Sequence, residues 1–390
     1  MKELPNICLV WPYFGPQYYD RFIETKEELR GSFNVKCIAL SNRTAGYPFW
    51  KETYPEVDYC FYDKEWEYIP LRQLYEAVYH KLSHYLPVAV FSHSYATIDA
   101  RACISYCHTK KSRLCIMSET KEDDFPRFMW SEFIKSIIIK SSDGMLVSHK
   151  SHLDYFRKLG CKSPIFIGYE GMSKTRLMQN KDDLLIEELR KQYGRFLICV
   201  ARPIARKRIA ELISTWREIP NKNKTKLVII GGDIEEYNVS PDSTIIFAGK
   251  KSQREAVNHI AASIGLVLPS SEDQWGNVVN EALILGKRVI VSGGCGASSI
   301  INLPSYGYVF SKNNWAELRD IMEKFLFEVS KPVDRIPCVI NVESFAQSVL
   351  NFSIDSYRSR KLNKILARLI IWATLFVYPQ DVCIYSVELR

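Results

Sequence analysis

Residues 264–294, IGLVLPSSEDQWGNVVNEALILGKRVIVSGG, contain two short apolar runs separated by a polar turn and a helix-length segment. The runs at 264–269 and 288–293 have the length and continuous apolarity of strands that are buried on both faces. We expect a helix to begin between them near Asn277, directly after Gly276. Two buried strands joined through a helix form the βαβ unit of a parallel sheet, so this stretch predicts an α/β fold.

The same alternation of strand-length and helix-length segments extends along most of the chain. Apolar runs that we interpret as buried strands lie at 7–10, 35–40, 88–92, 113–117, 144–148 and 164–168 and, after a gap, at 195–200, 226–231 and 244–249. Segments with helical spacing lie at 17–30, 70–86, 96–109, 127–141 and 149–160 and, in the second set, at 205–217, 252–263, 277–285 and 313–328. Repeated βαβ units of this kind predict doubly wound parallel sheets.

The gap between the two sets marks a boundary between domains. Residues 170–192 are rich in charge and lack the apolar runs of buried strands, so we place the boundary near 172–180. The sequence predicts two Rossmann-like doubly wound domains, 1–172 and 173–335, followed by a helical tail at 336–390. Ligands of open α/β sheets bind at the carboxyl ends of the strands, and two such domains leave a cleft between these edges.

Composition limits the classes of function that the chain can have. The sequence has 390 residues, of which 47% are apolar and 25% charged, and its net charge is +8. This balance excludes intrinsic disorder as the main state, and the lack of apolar runs of about 18 residues excludes a multi-span membrane protein. The basic excess suits anionic partners. Nucleic acid is not expected, because the basic residues are spread out and no nucleic-acid-binding motif accompanies them.

The cysteines and the N-terminus indicate a reducing compartment. Eleven cysteines are scattered from Cys8 to Cys383 without a CxxC pair, and several lie within apolar runs, where cysteine acts as a small core residue. In MKELPNICLVWPYF, Glu3 and Pro5 precede a short apolar run, which makes a poor signal peptide and a good first strand. We therefore expect a cytoplasmic protein without a disulfide framework.

The first feature that indicates ligand binding is a set of cations after the strand at 195–200. Arg202 and Lys207 lie in the segment ARPIARKR, where that strand ends and a helix is expected to begin near Arg206. Cations at a strand-to-helix turn suit a bound phosphate, which the helix N-terminus also favours. The alternative is a basic helix start that is exposed to solvent.

The second feature is a pair of carboxylates, Asp273 and Glu281, eight residues apart around the next helix N-terminus. Asp273 is expected at the carboxyl edge of the sheet and Glu281 about one turn into the helix. The backbone N–H groups of Trp275, Gly276 and Asn277 would point towards an anion. The alternatives are that Asp273 caps the helix and that Glu281 faces solvent.

The third feature is the glycine-rich segment SGGCGASS at 292–299. Gly294 follows a predicted strand, where glycine lets the backbone approach a phosphate or a sugar. The spacing Gly294-x-Gly296-x-x-Ser299 is a fragment of the dinucleotide-binding fingerprint, and an ordinary glycine turn is the alternative.

Together, the three features resemble the donor-binding half of retaining glycosyltransferases with the GT-B fold, in particular glycosyltransferase family 4, the glycosyl transferases group 1. Arg202 and Lys207 match the family's Arg-x4-Lys pair. The segment PSSEDQWGNVVNEA at 269–282 matches the family's P-S-x-x-E-x-F-G-x-x-x-x-E-A block, and GKRVIVS at 286–292 matches its Gly-x-Pro-Val-Ile-x-Ser stretch. The resemblance covers about 195–330. Upstream, 141–171 are similar to the family's last strand-helix-strand before the linker, whereas 1–140 match in pattern only.

The resemblance implies transfer of a sugar from a nucleotide diphosphate sugar to an acceptor hydroxyl with retention of the anomeric configuration. Arg202 and Lys207 would hold the diphosphate, with further donors from the backbone at Trp275–Asn277. Asp273 would contact hydroxyls of the donor sugar, and Glu281 would accept hydrogen bonds from the ribose. Neither a cofactor nor a metal is expected, since the chain contains no Asp-x-Asp motif.

The sequence departs from the family pattern in two places. Asp273 stands where the family has a glutamate, so this carboxylate is one methylene shorter. The His-Asp pair that many relatives carry in the N-terminal half is replaced by MSET at 117–120. The candidates for the donor-sugar or acceptor side are therefore His93, Ser118, Glu119 and Gly15.

The N-terminal half is expected to bind the acceptor, a saccharide or a lipid-linked saccharide. Its aromatic stretch WPYFGPQYYDRF at 11–22 would stack on sugars if it is exposed, and the alternative is packing in the core and at the domain interface. Arg127 and Lys135 are further candidates at the cleft edge.

The tail adds a membrane hypothesis. Its segment 357–379 combines an apolar stretch that is too short to span a bilayer with Arg358, Arg360, Lys361, Lys364 and Arg368. Either it packs back on the N-terminal domain as a helix, or it lies in the interface with its cations on anionic lipids. The second interpretation places the protein at the inner face of the cytoplasmic membrane, in surface polysaccharide or glycolipid biosynthesis.

Two other functions fit the same fold. A nucleotide-sugar epimerase would act on the donor without an acceptor. A catalytically degenerate sugar-nucleotide-binding protein would bind the donor without turnover, and the aspartate at position 273 and the missing His-Asp pair motivate this hypothesis.

Overall fold

The computed structural model describes residues 3–45, 53–122, 127–237, 239–328, 333, 335–355 and 361–376. The chain divides into two compact units, each built on one parallel sheet. The first unit comprises Met1–Gly171 together with Val342–Arg390, and the second comprises Met172–Asn341. The predicted α/β fold with two Rossmann-like doubly wound domains is thereby confirmed.

The first unit has a seven-stranded sheet with the strand order β3-β2-β1-β4-β5-β6-β7. Its strands are β1 (Asn6–Tyr13), β2 (Asn34–Arg43), β3 (Val57–Glu65), β4 (Ala89–His93), β5 (Arg113–Ser118), β6 (Gly144–Val147) and β7 (Ile165–Ile167). Its helices are α1 (Pro16–Glu28), α2 (Leu71–Tyr85), α3 (Ile98–Lys110), α4 (Met129–Lys140) and α5 (Lys150–Lys158), and two later helices, named below, also belong to it.

The second unit has a six-stranded sheet with the strand order β10-β9-β8-β11-β12-β13. Its strands are β8 (Phe196–Val200), β9 (Lys226–Ile230), β10 (Ile245–Phe247), β11 (Gly265–Leu268), β12 (Val289–Ser292) and β13 (Gly307–Phe310). Its helices are α6 (Lys174–Gln179), α7 (Asp183–Tyr193), α8 (Ile209–Glu218), α9 (Ile234–Tyr237), α10 (Gln253–Ala262), α11 (Asn277–Ile284) and α12 (Trp315–Phe327).

In both sheets the central strands are buried on both faces, as their continuous apolar runs require. Residues 7–10 of β1 and 197–199 of β8 are fully buried, with apolar clusters on each side of the sheet. The strand order reverses beside β1 in the first sheet and beside β8 in the second. Such a reversal opens a crevice at the carboxyl ends of the strands, which is where ligands of doubly wound sheets bind.

The chain returns to the first unit after Asn341. Helices α13 (Val342–Ile354) and α14 (Lys361–Phe376) follow, and α13 packs on α1 and β7 while α14 packs on α3 and α4. Phe345, Val349 and Phe352 of α13 lie fully buried in the same apolar cluster as β1. In the part of the chain that the structure describes, no helix is long and apolar enough to cross a membrane.

The observed elements differ from the predicted ones in several places. The helix predicted at 205–217 begins only at Ile209, because 205–207 form a short 3-10 turn and Arg208 has a left-handed backbone with φ of 54°. Strands β3 and β13 were not predicted. Both lie at sheet edges, where a strand is partly exposed and its apolar run is broken by polar residues or is short.

Candidate active site

The loop after β8 carries the two predicted phosphate-binding cations. Lys207 lies on the 3-10 turn ahead of α8 rather than in the helix, and Arg202 follows the end of β8 by two residues. The carbonyl oxygen of Arg206 accepts hydrogen bonds from Ser271, from the backbone N–H at 2.9 Å and from the hydroxyl at 3.3 Å. This loop is therefore fixed against the loop that follows β11, on the neighbouring strand.

Lys207 and Asp273 form an ion pair between these two loops. Both side chains are largely buried, with 14% and 16% of their surface exposed, and the Ser270 hydroxyl donates a 3.4 Å hydrogen bond to the Asp273 Oδ2 atom. Asp273 does not cap α11, because the N-cap residue is Gly276 and no side chain caps this helix. The carboxylate is thus positioned by a cation at the carboxyl edge of the sheet.

Glycines allow the loops around Asp273 to pack closely. Gly276 has φ of 99°, and a Cβ atom there would lie 2.6 Å from the Cys295 sulfur. A side chain on Gly294 would collide with the carbonyl group of Ser271. The Asp273 backbone N–H donates to the Gly294 carbonyl oxygen at 3.2 Å. The structure therefore gives Gly294 a packing role between two loops, where the sequence had indicated a close approach to a ligand.

The start of α11 is held by its own side chains. Trp275 is 1% exposed, and its indole N–H donates a 3.1 Å hydrogen bond to Oδ1 of Asn280. The Trp275 carbonyl oxygen accepts from the Ala297 N–H at 2.8 Å. Asn277 is the first helical residue, so the positive end of the α11 dipole lies in the same short segment as Asp273.

Glu281 is a buried carboxylate within α11. Only 8% of the residue is exposed, so the alternative of a solvent-facing helix position is wrong. Burial raises its pKa from 4.5 to about 7, although a hydrogen bond with the Gln253 side chain opposes that rise. At neutral pH this group can exist in either protonation state, and a ligand hydroxyl that donates to it would favour the ionised one.

The first unit places a second group of predicted residues at its own carboxyl edge. His93 ends β4, Ser118 ends the neighbouring β5, and Gly15 is the N-cap of α1 after β1. The Ser118 hydroxyl accepts a 3.3 Å hydrogen bond from the Thr120 N–H. The charge of Glu119 affects the pKa values of Tyr18, Arg21 and Tyr169, so Glu119 lies close to this group as well.

His93 is hydrogen-bonded and neutral. Its Nδ1 atom lies 2.5 Å from the Tyr169 hydroxyl, which also accepts a 3.4 Å hydrogen bond from the Trp11 indole. Nδ1 accepts the tyrosine proton in one tautomer of the neutral imidazole and donates to the tyrosine oxygen in the other. Burial, assisted by the positive charge of Arg21, lowers the His93 pKa from 6.5 to about 4.

An ion pair that sequence reasoning missed lies beside His93. The Arg21 guanidinium donates to the Glu170 carboxylate at 2.8 Å, and the two side chains are 1% and 0% exposed. Its Nε atom also donates to the Gly171 carbonyl oxygen at 3.1 Å, and the guanidinium lies 4.8 Å from the centre of the Tyr169 ring. The partners are far apart in the sequence, and no motif of this chain signals the pairing.

The aromatic stretch at 11–22 packs in the interior rather than presenting rings for sugar stacking. Trp11, Phe14 and Tyr18 are buried in the first unit's apolar cluster, and the Trp11 and Tyr18 rings stack with centroids 5.2 Å apart. The predicted acceptor cation Lys135 is also buried, pairing with Glu132 at 2.6 Å and with the Tyr155 hydroxyl at 2.7 Å. Arg127 approaches the same Glu132 at 3.7 Å, so both cations belong to a local network.

The structure identifies the class of fold, and the sequence identifies one domain within it. The two parallel doubly wound sheets form the GT-B fold of glycosyltransferases. Residues 181–334 match the model of the family Glycosyl transferases group 1, so the second unit contains a domain of this family. Lys207, Asp273 and Glu281 all lie within the matched residues.

Several solved structures share the fold at low sequence identity. Sucrose-phosphate synthase from Thermosynechococcus elongatus is similar with a TM-score of 0.67 and 16% identity, over 90% of this chain and 98% of that one. Anabaena HepE in complex with UDP and glucose is similar with a TM-score of 0.64 and 15% identity, over 96% of this chain and 100% of that one. UDP-GlcNAc 2-epimerase from Methanocaldococcus jannaschii has a TM-score of 0.61 and 12% identity, over 90% of this chain and 100% of that one. A comparison with curated protein sequences finds no match.

Proposed function

We propose that this protein is a retaining glycosyltransferase that moves a sugar from a nucleotide diphosphate sugar to an acceptor hydroxyl. The observation that carries the proposal is the Lys207–Asp273 ion pair, at the carboxyl edge of a glycosyl transferases group 1 domain. Lys207, which would hold the diphosphate, lies beside Asp273, which would contact the sugar, next to the N-terminus of α11. The same fold hosts other chemistries, so the residues of this site, and not the fold, indicate the reaction.

Lys207 and Arg202 would supply the positive charge that stabilises the departing nucleoside diphosphate. As the bond between sugar and phosphate breaks, negative charge grows on the departing nucleoside diphosphate, and groups already in place stabilise it best. Lys207 provides a point charge on the turn before α8, and Arg202 provides a planar fork that matches two phosphate oxygens. The backbone donors at the start of α11 add to them.

Asp273 and Lys207 would exchange partners when the donor binds. Without a donor, Lys207 neutralises Asp273. A diphosphate that draws the ammonium group towards itself would leave the carboxylate available to accept hydrogen bonds from sugar hydroxyls. The shorter side chain of an aspartate fits this arrangement, because Asp273 already reaches Lys207 from its place in the loop.

Glu281 would bind the ribose of the donor. An ionised carboxylate accepts hydrogen bonds from both ribose hydroxyls with two equivalent oxygens, and these bonds are stronger than those to a protonated carboxyl group. Because its pKa is about 7, donor affinity should increase as the pH rises through neutrality.

On the first unit, His93, Ser118, Glu119 and Gly15 would lie on the donor-sugar or acceptor side. A neutral His93 can form a hydrogen bond with a sugar hydroxyl through Nε2 without adding charge, as a donor in one tautomer and an acceptor in the other. We further propose that the reaction needs no metal and no cofactor. In the residues that the structure describes, no group of three or more His, Cys, Asp or Glu side chains could hold a metal ion.

The acceptor would be a saccharide or lipid-linked saccharide of surface polysaccharide or glycolipid biosynthesis, used at the inner face of the cytoplasmic membrane.

A thermal-shift panel tests the proposal. UDP, GDP and ADP and their sugar conjugates are added with EDTA to wild type, Arg202→Ala and Glu281→Ala. UDP is the first choice, since HepE was crystallised with UDP. A ligand at about 100 times its dissociation constant should stabilise the wild type by about 2.7 kcal/mol, and both variants should lose the shift. A shift that requires metal, or that both variants retain, contradicts the proposal.

Product analysis separates the alternatives. A glycosyltransferase releases the nucleoside diphosphate only when an acceptor is present, apart from slow hydrolysis. An epimerase converts the donor alone. Stoichiometric donor binding without turnover across a panel of saccharide and lipid-linked acceptors identifies a degenerate binding protein.

A further inference from the structure

Two helices of the first unit, packed against each other, expose large apolar side chains. Asn363 of α14 donates a 3.1 Å hydrogen bond to the Lys140 carbonyl oxygen, so the first turn of α14 lies at the last turn of α4. The helices are in contact, and α14 also rests on α3. Their outward sides therefore belong to one region of the first unit.

Helix α14 has apolar residues on both of its sides. Ala367 and Ile371 are buried against the unit. On the opposite side, at intervals of three or four residues, lie the exposed side chains of Leu362, Leu366, Leu369 and Trp372. A helix on the surface of a globular protein normally carries polar residues there. Folding of this unit alone does not explain an outward apolar stripe.

The start of α4 exposes a second apolar set. Met129 is 91% exposed and Trp130 67%, and neighbouring Phe128 and Phe133 are exposed to a similar degree. Contiguous exposed apolar surface marks an interaction site more often than isolated exposed residues do. We call the eight side chains the two-helix apolar surface, namely Phe128, Met129, Trp130 and Phe133 around α4 and Leu362, Leu366, Leu369 and Trp372 on α14.

Charge decides which partner fits this surface. The two segments together carry a net charge of +3, since 356–380 contain five basic residues and no acidic one and 119–135 contain three basic and five acidic residues. Arg358, Arg360, Asp123 and Asp124 lie outside the described residues. Arg368 is exposed on α14 at the margin of the stripe. Among the acidic groups that the structure describes here, Glu132 contacts Lys135 and Asp143 contacts Lys364. A second copy of the same surface would bring equal positive charges together, whereas an anionic bilayer complements them.

We propose that the two-helix apolar surface docks this protein on an anionic lipid bilayer. Helix α14 would lie in the membrane plane, its apolar stripe in the boundary between headgroups and acyl chains and its cations on lipid phosphates. Trp130 and Trp372 are suited to this boundary, because indole rings favour the membrane–water interface. The sequence indicated α14 alone, and the structure adds the aromatic start of α4.

Vesicle flotation tests the docking surface without any sugar transfer. Wild type should float with vesicles of equimolar phosphatidylglycerol and phosphatidylcholine, and less with phosphatidylcholine alone or at high salt. The variants W130S/F133S and L362S/L369S should each lower the partition coefficient about tenfold or more. L184S is the matched control, because Leu184 on α7 is 76% exposed in the second unit, and it should bind as wild type does.

Two results would overturn the inference. One is wild-type partition in both double variants. The other is a wild-type dimer in sedimentation equilibrium that both double variants convert to monomer, with no vesicle binding, since a second copy would then cover the surface. Melting temperatures should stay at the wild-type value, because all four substituted side chains are exposed. A donor-induced thermal shift retained in these variants separates loss of docking from loss of the proposed donor site.

Discussion

The carboxyl edges of the two sheets each hold an ion pair, but the pairs differ in burial and in the chain segments that form them. Lys207 and Asp273 stay partly accessible and join two neighbouring loops of the second unit. Arg21 and Glu170 are almost completely buried and join the start of the first unit to its last loop before Met172. An accessible pair can exchange partners with a ligand, whereas a buried pair holds structure in place.

The electrostatic consequences differ in the same way. In the first unit, Arg21 lies close to His93 and contributes to its low pKa of about 4, so this edge presents a neutral imidazole. In the second unit, burial gives Glu281 a pKa of about 7 and leaves its charge sensitive to the ligand. The second edge is therefore suited to binding a charged donor, and the first to contacting neutral hydroxyls.

The largest expected effect is the loss of the buried ion pair. Arg21→Met should lower the free energy of unfolding by about 3–5 kcal/mol, because Glu170 keeps its buried charge and loses the guanidinium. Thermal and urea melts measure this loss. Arg72→Ala is the control, since Arg72 and Glu76 form an exposed pair that contributes little to stability. A loss as small as the control's would mean that the buried pair is not structural.

Next in size is the effect of the accessible pair on catalysis. Lys207→Ala should lower kcat/KM about 10²–10³-fold with little change in melting temperature, because charge on the leaving diphosphate is then poorly stabilised. The control is Lys250→Ala, an exposed lysine of the same unit that pairs with Glu236. If both lysine variants keep wild-type kcat/KM, Lys207 has no catalytic role.

Glu281→Gln should stabilise the fold while weakening donor binding. The folded-state pKa of about 7 lies above the ordinary value of 4.5, so the folded protein holds this proton more tightly than the unfolded chain. Stability from this group is full below the ordinary pKa and is lost as the pH rises to about 7. At about pH 8 the variant should gain about 1–3 kcal/mol, and at about pH 4 close to nothing.

Urea titrations at both pH values measure this difference, with exposed Glu188→Gln on α7 as the control. If the difference in free energy of unfolding between Glu281→Gln and wild type is the same at both pH values, burial does not raise the pKa of Glu281.

The smallest effect is expected at His93. Because its pKa is about 4, this side chain does not titrate between about pH 5 and pH 8. His93→Asn should reduce kcat/KM less than about tenfold and leave the shape of the pH profile unchanged over that range. If the wild-type profile of kcat/KM against pH has a titration step near pH 6.5 that is absent in the variant, the histidine changes its charge during catalysis.

The sequence predicts those features of the fold and the site that leave a local pattern in the chain. Central strands such as β1 and β8 are buried on both faces, so their continuous apolar runs identify them. Lys207 and Asp273 follow two strands that the pattern places in one sheet, so their carboxyl edge could be anticipated. Their mutual contact could not, since it depends on the 3-10 turn and on the left-handed Arg208.

Other features depend on contacts that no window of sequence contains. Arg21 and Glu170 are separated by 149 positions, and only the folded sheet brings them together. Trp11 likewise packs near a distant residue, Phe345 of α13, with ring centroids 6.4 Å apart. The edge strand β3 is only partly buried, and polar residues interrupt its apolar residues, so it lacks the continuous apolar run of a central strand.

The return of α13 to the first unit has a consequence for the order of events during synthesis. The second unit is continuous in sequence, and its ends meet where the Met172 N–H donates to the Ile340 carbonyl oxygen at 2.9 Å. The first unit, although it begins earlier, lacks Phe345, Val349 and Phe352 until α13 has left the ribosome. The unit translated first therefore completes its core last, and a nascent chain that stalls before residue 342 leaves apolar surface open to chaperones.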